Sequence, residues 1–192
     1  MNDAEHLAAY LGGDPLAFTT LVERHQGALL RHARSLLGRG EAHEDVVQET
    51  FLRLAQSPPR FDDSATNRSL SSWLHTVMRN LCMDAHRSEA RRRRREEEIA
   101  LADTTAGGID QVEAEDTRAY VESALERLPE DQREVLVLRL LSERSYKEIA
   151  TITGRKIGTV GWLVSVGLKA LSERLEPVLQ GHANLSVEGG RS

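Results

Sequence analysis

A single cysteine, Cys82, stands among 192 residues. No disulfide can close within the chain, and a reduced, cytoplasmic compartment is expected. On the apolar face of its segment, Cys82 reads as a small apolar residue rather than a functional thiol. Aromatics make up 4% and hydrophobic residues 40%, which predicts a lean, aliphatic core. No run of roughly 18 apolar residues occurs, so no segment is expected to insert into a membrane. The N-terminal stretch MNDAEHLAAYLGGD has neither a basic start nor an apolar run and does not read as a signal peptide. Strand-like alternation is absent, as is any internal repeat, so the expected fold class is all-α. The histidines (His6, His25, His32, His43, His75, His86 and His182) show no metal-ligand spacing, and no metal or cofactor is expected. No phosphate loop, glycine fingerprint or nucleophile elbow is present, which argues against an enzyme. Positive charge is not in excess either: the formal net charge is −5. Any nucleic-acid binding must therefore rest on local patches.

What is there centres on Ser71 to Arg95, SSWLHTVMRNLCMDAHRSEARRRRR. Apolar residues at Trp73, Leu74, Val77, Met78, Leu81, Cys82 and Ala85 follow the rhythm of one helix face. Ser71 suits the N-cap, where a hydroxyl accepts from free first-turn amides. The opposite face carries His75, Arg79, Asn80, Asp84 and Arg87, and the helix ends in five consecutive arginines, Arg91 to Arg95. One reading is an amphipathic helix with a solvated charge run. The sharper reading is a surface that meets nucleic-acid phosphates.

Before this helix, Asp14-Pro15 opens a helix that Gly38 and Gly40 end. A second runs from about Glu41 to Ala55, with Val46, Val47, Thr50, Phe51 and Leu54 inward and Asp45, Gln48, Glu49 and Arg53 outward. The loop SPPRFDDSATNRS follows, its two prolines and short polar residues disfavouring regular structure. After the arginines the charge inverts: Glu96 to Asp116 holds eight acidic residues and no basic one. This predicts a flexible linker over 96–117, separating a domain at 14–95 from one at 118–176, with 177–192 as a loose tail. In the second domain Ser145 and Glu148 form a capping box. Gly154 marks a tight turn, and a long helix from about Gly158 to Leu175 has Val160, Leu163, Val164, Gly167, Leu168, Leu171 and Leu175 inward. Ile149, Ala150, Gly154, Val160 and Leu163 supply the small residue, the turn glycine and the anchors of a helix-turn-helix.

The segment Asp45-Val-Val-Gln48-Glu49-Thr-Phe51 resembles the D-x-x-Q-E-x-F signature of bacterial sigma-70 family factors. Trp73-Leu74, Arg79-Asn80, Asp84 and Arg87 resemble the helix that follows it there. LPEDQREVLVLRLLSERSYKEIATITG, with Gly158-Thr159-Val160 after it, is similar to the family's C-terminal promoter-binding domain. No segment corresponds to the family's middle domain or N-terminal extension, a layout that resembles the extracytoplasmic-function group.

The resemblance implies a promoter-specificity subunit of RNA polymerase that performs no chemistry itself. Asp45, Gln48, Glu49 and Arg53 would bind the clamp helices of the β′ subunit, and the second domain would meet the β flap. The loop from Arg60 to Arg68 would capture flipped bases of the −10 element, a base extruded from the stack needing an aromatic or short polar pocket. Phe61 and Asn67 are the candidates there, each equally compatible with loop packing. Trp73 suits either the melted edge or the core; Arg79, Asn80 and Arg87 would touch backbone or bases. Arg91 to Arg95 would add phosphate contacts, which position without specifying. Toward the −35 element the candidates are Arg155, Lys156, Thr159, Trp162 and Lys169. The family's long helix usually carries several basic residues after Gly-Thr-Val; here Gly161, Trp162, Ser165 and Val166 bring no charge. The resemblance also implies an anti-sigma partner. The alternative is a stand-alone helix-turn-helix regulator whose N-terminal helices dimerise or sense.

Overall fold

The computed structural model describes residues 1–38, 42–59, 69–99 and 117–188, with side chains described throughout these except at 93–99, 117–120, 122 and 177–188. Among the described residues the regular structure is helical, as the pattern predicts. Four helices build the first domain: α1 (Asp3–Leu11), α2 (Pro15–Leu37), α3 (Ala42–Gln56) and α4 (Leu70–Ile99). The second holds α5 (Thr117–Glu126), α6 (Glu130–Leu136) running into one π-helical turn (Val137–Leu141), α7 (Tyr146–Thr153) and α8 (Ile157–Glu188).

Local chemistry sets most boundaries. Asp14 caps α2 by accepting from the Leu16 amide, with Pro15 in the first turn. Ser145 and Glu148 close the capping box of α7 in both directions. Gly154 turns the chain into α8 at φ 71°, a left-handed conformation that a side chain would oppose. The helix α1 has a capping box of its own, Asn2 with Glu5, and is pinned by an ion pair from Arg24 to Asp3 at 2.6 Å. The N-cap expected at Ser71 is corrected. Ser69 Oγ accepts from the Ser72 amide at 3.2 Å, and Ser71 lies inside the helix, buried, its hydroxyl without a partner.

The first core gathers Leu7, Leu21, Leu29, Ala33 and Leu36 against Val47, Phe51, Leu54, Leu70, Leu74, Met78 and Cys82. From α4 the fully buried members come one per turn (Leu70, Leu74, Met78, Cys82), with Trp73 and Met83 packed half-buried beside them. The second core joins Leu125, Leu128, Val135, Leu136 and Leu138 to Ile149, Ile152, Val160, Leu163, Val164 and Leu171. At Gly167 the helices cross so closely that a β-carbon would stand 3.0 Å from Leu136 Cδ1. Leu168, expected inward, is exposed instead. The helix α8 also continues past Pro177 and Gly181 to Glu188, into the stretch where a loose tail was expected.

The two cores are packed together. Helices α2 and α4 lie on α6, the π turn and α7. Arg133 Nε donates to the Ser35 carbonyl at 2.6 Å, and Arg31 Nη2 to that of Leu141 at 3.1 Å.

Candidate polymerase and promoter surfaces

The outward stripe of α3 is built by its inward one. Val47, Thr50, Phe51 and Leu54 are buried; spaced by three and four residues, they share one face of the helix, and the positions between them are left to the opposite one. Asp45, Gln48 and Arg53 are exposed and Glu49 is half-buried. Arg53 Nε donates to Glu49 Oε1 one turn back at 3.0 Å, which orders the far end of the stripe. The aromatic of the Asp45–Phe51 signature is therefore an anchor, and its polar members form one surface. Leu52, 53% exposed, sits beside them. The sequence reading missed it, although it lies four residues from Gln48 on the same face.

On α4 the candidate residues divide. Trp73 is half-buried against the first core. Asn80 is exposed. Arg87 is exposed, 3.2 Å from Asp84, and Arg92 pairs with Glu89 at 2.9 Å. Arg60, Phe61, Asn67 and Arg68 lie outside the described residues.

Arg79 is turned toward the second domain. Its Nε donates to Glu134 Oε1 at 2.6 Å and its Nη2 approaches Oε2 at 3.5 Å. The Glu134 side chain is 2% exposed. His32 Nε2 lies 3.4 Å from the same carboxylate, and His32 Nδ1 lies 3.0 Å from His75 Nδ1. Burial pushes the His32 imidazole below its ordinary value despite the neighbouring carboxylate. Burial, and then His32, pushes His75 well below. Both rings are accordingly neutral at neutral pH, which fixes their protons by elimination. A carboxylate only accepts, so His32 Nε2 carries the hydrogen; its Nδ1 then accepts from His75 Nδ1–H. Burial alone would raise the Glu134 carboxyl, but hydrogen bonds from His32 and Arg79 outweigh it and hold it below the ordinary value. His75, read from sequence as part of a polar face, is thus buried and steadies His32, the ring that reaches the second domain's Glu134.

Arg155 is drawn to the same place. Its Nη2 donates to Asp131 and stands 3.9 Å from Glu134 Oε2. One carboxylate thereby gathers a candidate DNA-contacting arginine from each domain. The remaining −35 candidates are free of it. Lys156, Thr159, Trp162 and Lys169 are exposed along the start and middle of α8, Trp162 at 61%.

Residues 21–92 match the family described as Sigma-70 region 2, and residues 118–171 match Sigma-70, region 4. The ECF RNA polymerase sigma factor EcfG of Rhodopseudomonas palustris is 36% identical over 154 residues, which cover 77% of this chain and 79% of that protein. The ECF RNA polymerase sigma factor SigM of Mycobacterium tuberculosis is 35% identical over 161 residues, covering 83% of this chain and 77% of that one. Among solved structures, the sigma factor RpoE from Bartonella quintana, in complex with the anti-sigma factor NepR, is similar at a TM-score of 0.64 and 28% identity, covering 83% of this chain and 96% of that one. CnrH in complex with the cytosolic domain of CnrY is similar at 0.61 and 26% identity, covering 91% and 97%.

Proposed function

The chain belongs to the extracytoplasmic-function group of the sigma-70 family, and from that premise we propose that it works in the cytoplasm as a promoter-specificity subunit. It binds RNA polymerase core, directs the holoenzyme to promoters and helps open the −10 region. The observation that carries this reading is the outward stripe of Asp45, Gln48, Glu49 and Arg53 on a helix anchored from behind by Phe51. A regulator that only binds DNA has no need of that surface. The stripe docks on the β′ clamp helices, and the second domain meets the β flap. Arg60, Phe61, Asn67 and Arg68, with Trp73, Arg79, Asn80 and Arg87, take the melted −10 strand. The start of α8 enters the duplex upstream. The working units are the first domain, α1 through α4, and the second, α5 through α8; the first begins at α1 rather than at residue 14, because Leu7 joins its core. An anti-sigma factor is the regulatory partner; the likeness to RpoE, solved in complex with the anti-sigma factor NepR, supports this.

The ion pairs at Glu134 bear on when DNA can bind. While Arg79 and Arg155 hold that carboxylate they are turned from solvent, so promoter engagement calls for the domains to separate. The discriminating experiment compares promoter-duplex binding by the protein alone and with polymerase core. Binding and strand opening only with core are expected; tight, specific binding alone would favour the helix-turn-helix regulator.

A further inference from the structure

The face that α8 presents is the wrong kind for reading purines by hydrogen bonds. From Ile157 to Leu168 the chain holds no Arg, Lys, Asn, Gln, His, Asp or Glu. Bidentate contacts to guanine or adenine, and acceptance from cytosine N4, need one of those side chains. The hydrogen-bonding side chains left on this stretch are the hydroxyls of Thr159 and Ser165 and the single indole N–H of Trp162. Arg155, just before it, is engaged by Asp131. Yet the apolar residues here are not all consumed by the core. Val160, Leu163 and Val164 are buried and hold the helix, while Ile157 is 53% and Trp162 61% exposed. Gly158 is open, with nothing within 4 Å of where a β-carbon would stand, so a base pair can approach the backbone beside Trp162. Exposed cations flank the apolar stretch: Lys147 and Lys156 on one side, and Lys169 two turns beyond Trp162, about 10 Å along the same face. That arrangement places phosphate-binding charges around an uncharged centre, as a duplex requires.

We infer that Trp162, with the Thr159 methyl one turn before it on the same face, reads the upstream promoter element through the C5-methyl groups of thymine. The methyl is the one major-groove feature that an apolar side chain can recognise, and it separates T·A from the other three pairs. Specificity here is apolar and charge-free, with the lysines fixing register. The inference rests on the promoter-binding reading above.

The test uses holoenzyme reconstituted from this protein and polymerase core. Two promoter-length duplex pools, randomised across the upstream element, are made identical except that one carries thymidine there and the other deoxyuridine. The wild type is expected to enrich thymine at one or more upstream positions. It should bind the enriched thymidine duplexes about fourfold more tightly than their deoxyuridine twins for each methyl contacted, the ratio that about 0.8 kcal/mol per buried methyl gives. Trp162→Ala should bring the ratio to about one, while Trp162→Phe retains most of it. The side chain is exposed, so neither change touches the core. Equal binding of both pools by wild type overturns the inference, as it would if this face were a protein-docking surface. So does a Trp162→Ala holoenzyme that keeps the ratio. A protein that fails to load core and binds neither pool overturns the promoter reading itself, and the inference with it.

Discussion

Replacing Glu134 by glutamine should part the two domains without unfolding either. The carboxylate accepts from Arg79 at 2.6 and 3.5 Å and from His32 at 3.4 Å. Glutamine keeps the size and removes the charge. Removing one partner of a buried ion pair costs about 3–5 kcal/mol where the other charge stays buried. Arg79 retains 19% side-chain exposure and regains water once the domains separate, so separation relieves the unpaired charge. The penalty then falls on the closed arrangement. A value at or below the lower end of that range, about 2–3 kcal/mol, moves the closed–open balance roughly 30- to 150-fold toward open. Energy transfer between dyes on cysteines placed at Gln56 and Glu173, both exposed, reports it. Transfer should fall in Glu134→Gln and in Arg79→Gln. The double variant should be no more open than either single one, a coupling of about 2 kcal/mol in a double-mutant cycle. Unchanged transfer in Glu134→Gln, or effects that add within about 0.5 kcal/mol, would refute the reasoning.

Acidification should open the same interface. His32 and His75 have values below the ordinary 6.5 when buried, so the open state binds more protons. Their contribution to closure is whole above about pH 6.5 and is lost as pH falls from there toward the buried values. Charging them would set two more cations beside Arg79, Arg31 and Arg144, with Glu134 opposing. Transfer in the wild type should fall with pH across that window, and in His75→Phe the fall should be smaller. Gly167→Leu should destabilise the second domain by at least 1–3 kcal/mol, roughly the range for overpacking, because even a β-carbon meets Leu136 at 3.0 Å; thermal melting of the variant checks it. Cys82 should resist alkylation by iodoacetamide at pH 8 in the folded protein and react in denaturant, since burial pushes its thiol up to about 12.

Features set within a few residues were legible in the sequence. The caps at Asp14, Ser145 with Glu148, and Gly154 depend on neighbours two to four positions away, and each is where the pattern predicts. The anchors Ile149, Val160 and Leu163 were legible for the same reason: helical spacing fixes which face they share. Long-range pairing was not legible. His75 and Arg79 fall on the polar side of α4 by periodicity, yet their partners His32 and Glu134 stand 43 and 55 residues away in sequence. Nothing near Arg79 announces a buried carboxylate. The helix α1 escaped because it buries one leucine, Leu7, and is tied down by Asp3 reaching Arg24 and His25. The π-helical turn at Val137–Leu141 breaks the 3.6-residue rhythm, leaving Leu140 exposed where an apolar run suggests core. At the candidate site, the polar stripe of α3 followed from its signature. Leu52, four residues after Gln48 on the same outward face, was legible by spacing and was passed over only because leucine is ordinarily a core residue.

The central claim is that the α3 stripe binds RNA polymerase core, and co-purification tests it most directly. Wild type is compared with the double substitution Gln48→Ala, Glu49→Ala, which removes one exposed amide and one half-buried carboxylate while Phe51 and Leu54 keep the helix packed. Wild type should bind core with sub-micromolar affinity, and the double variant should lose at least tenfold, about 1.4 kcal/mol, with an unchanged melting profile. Wild type that fails to bind core, or a double variant that binds as tightly, would contradict the account.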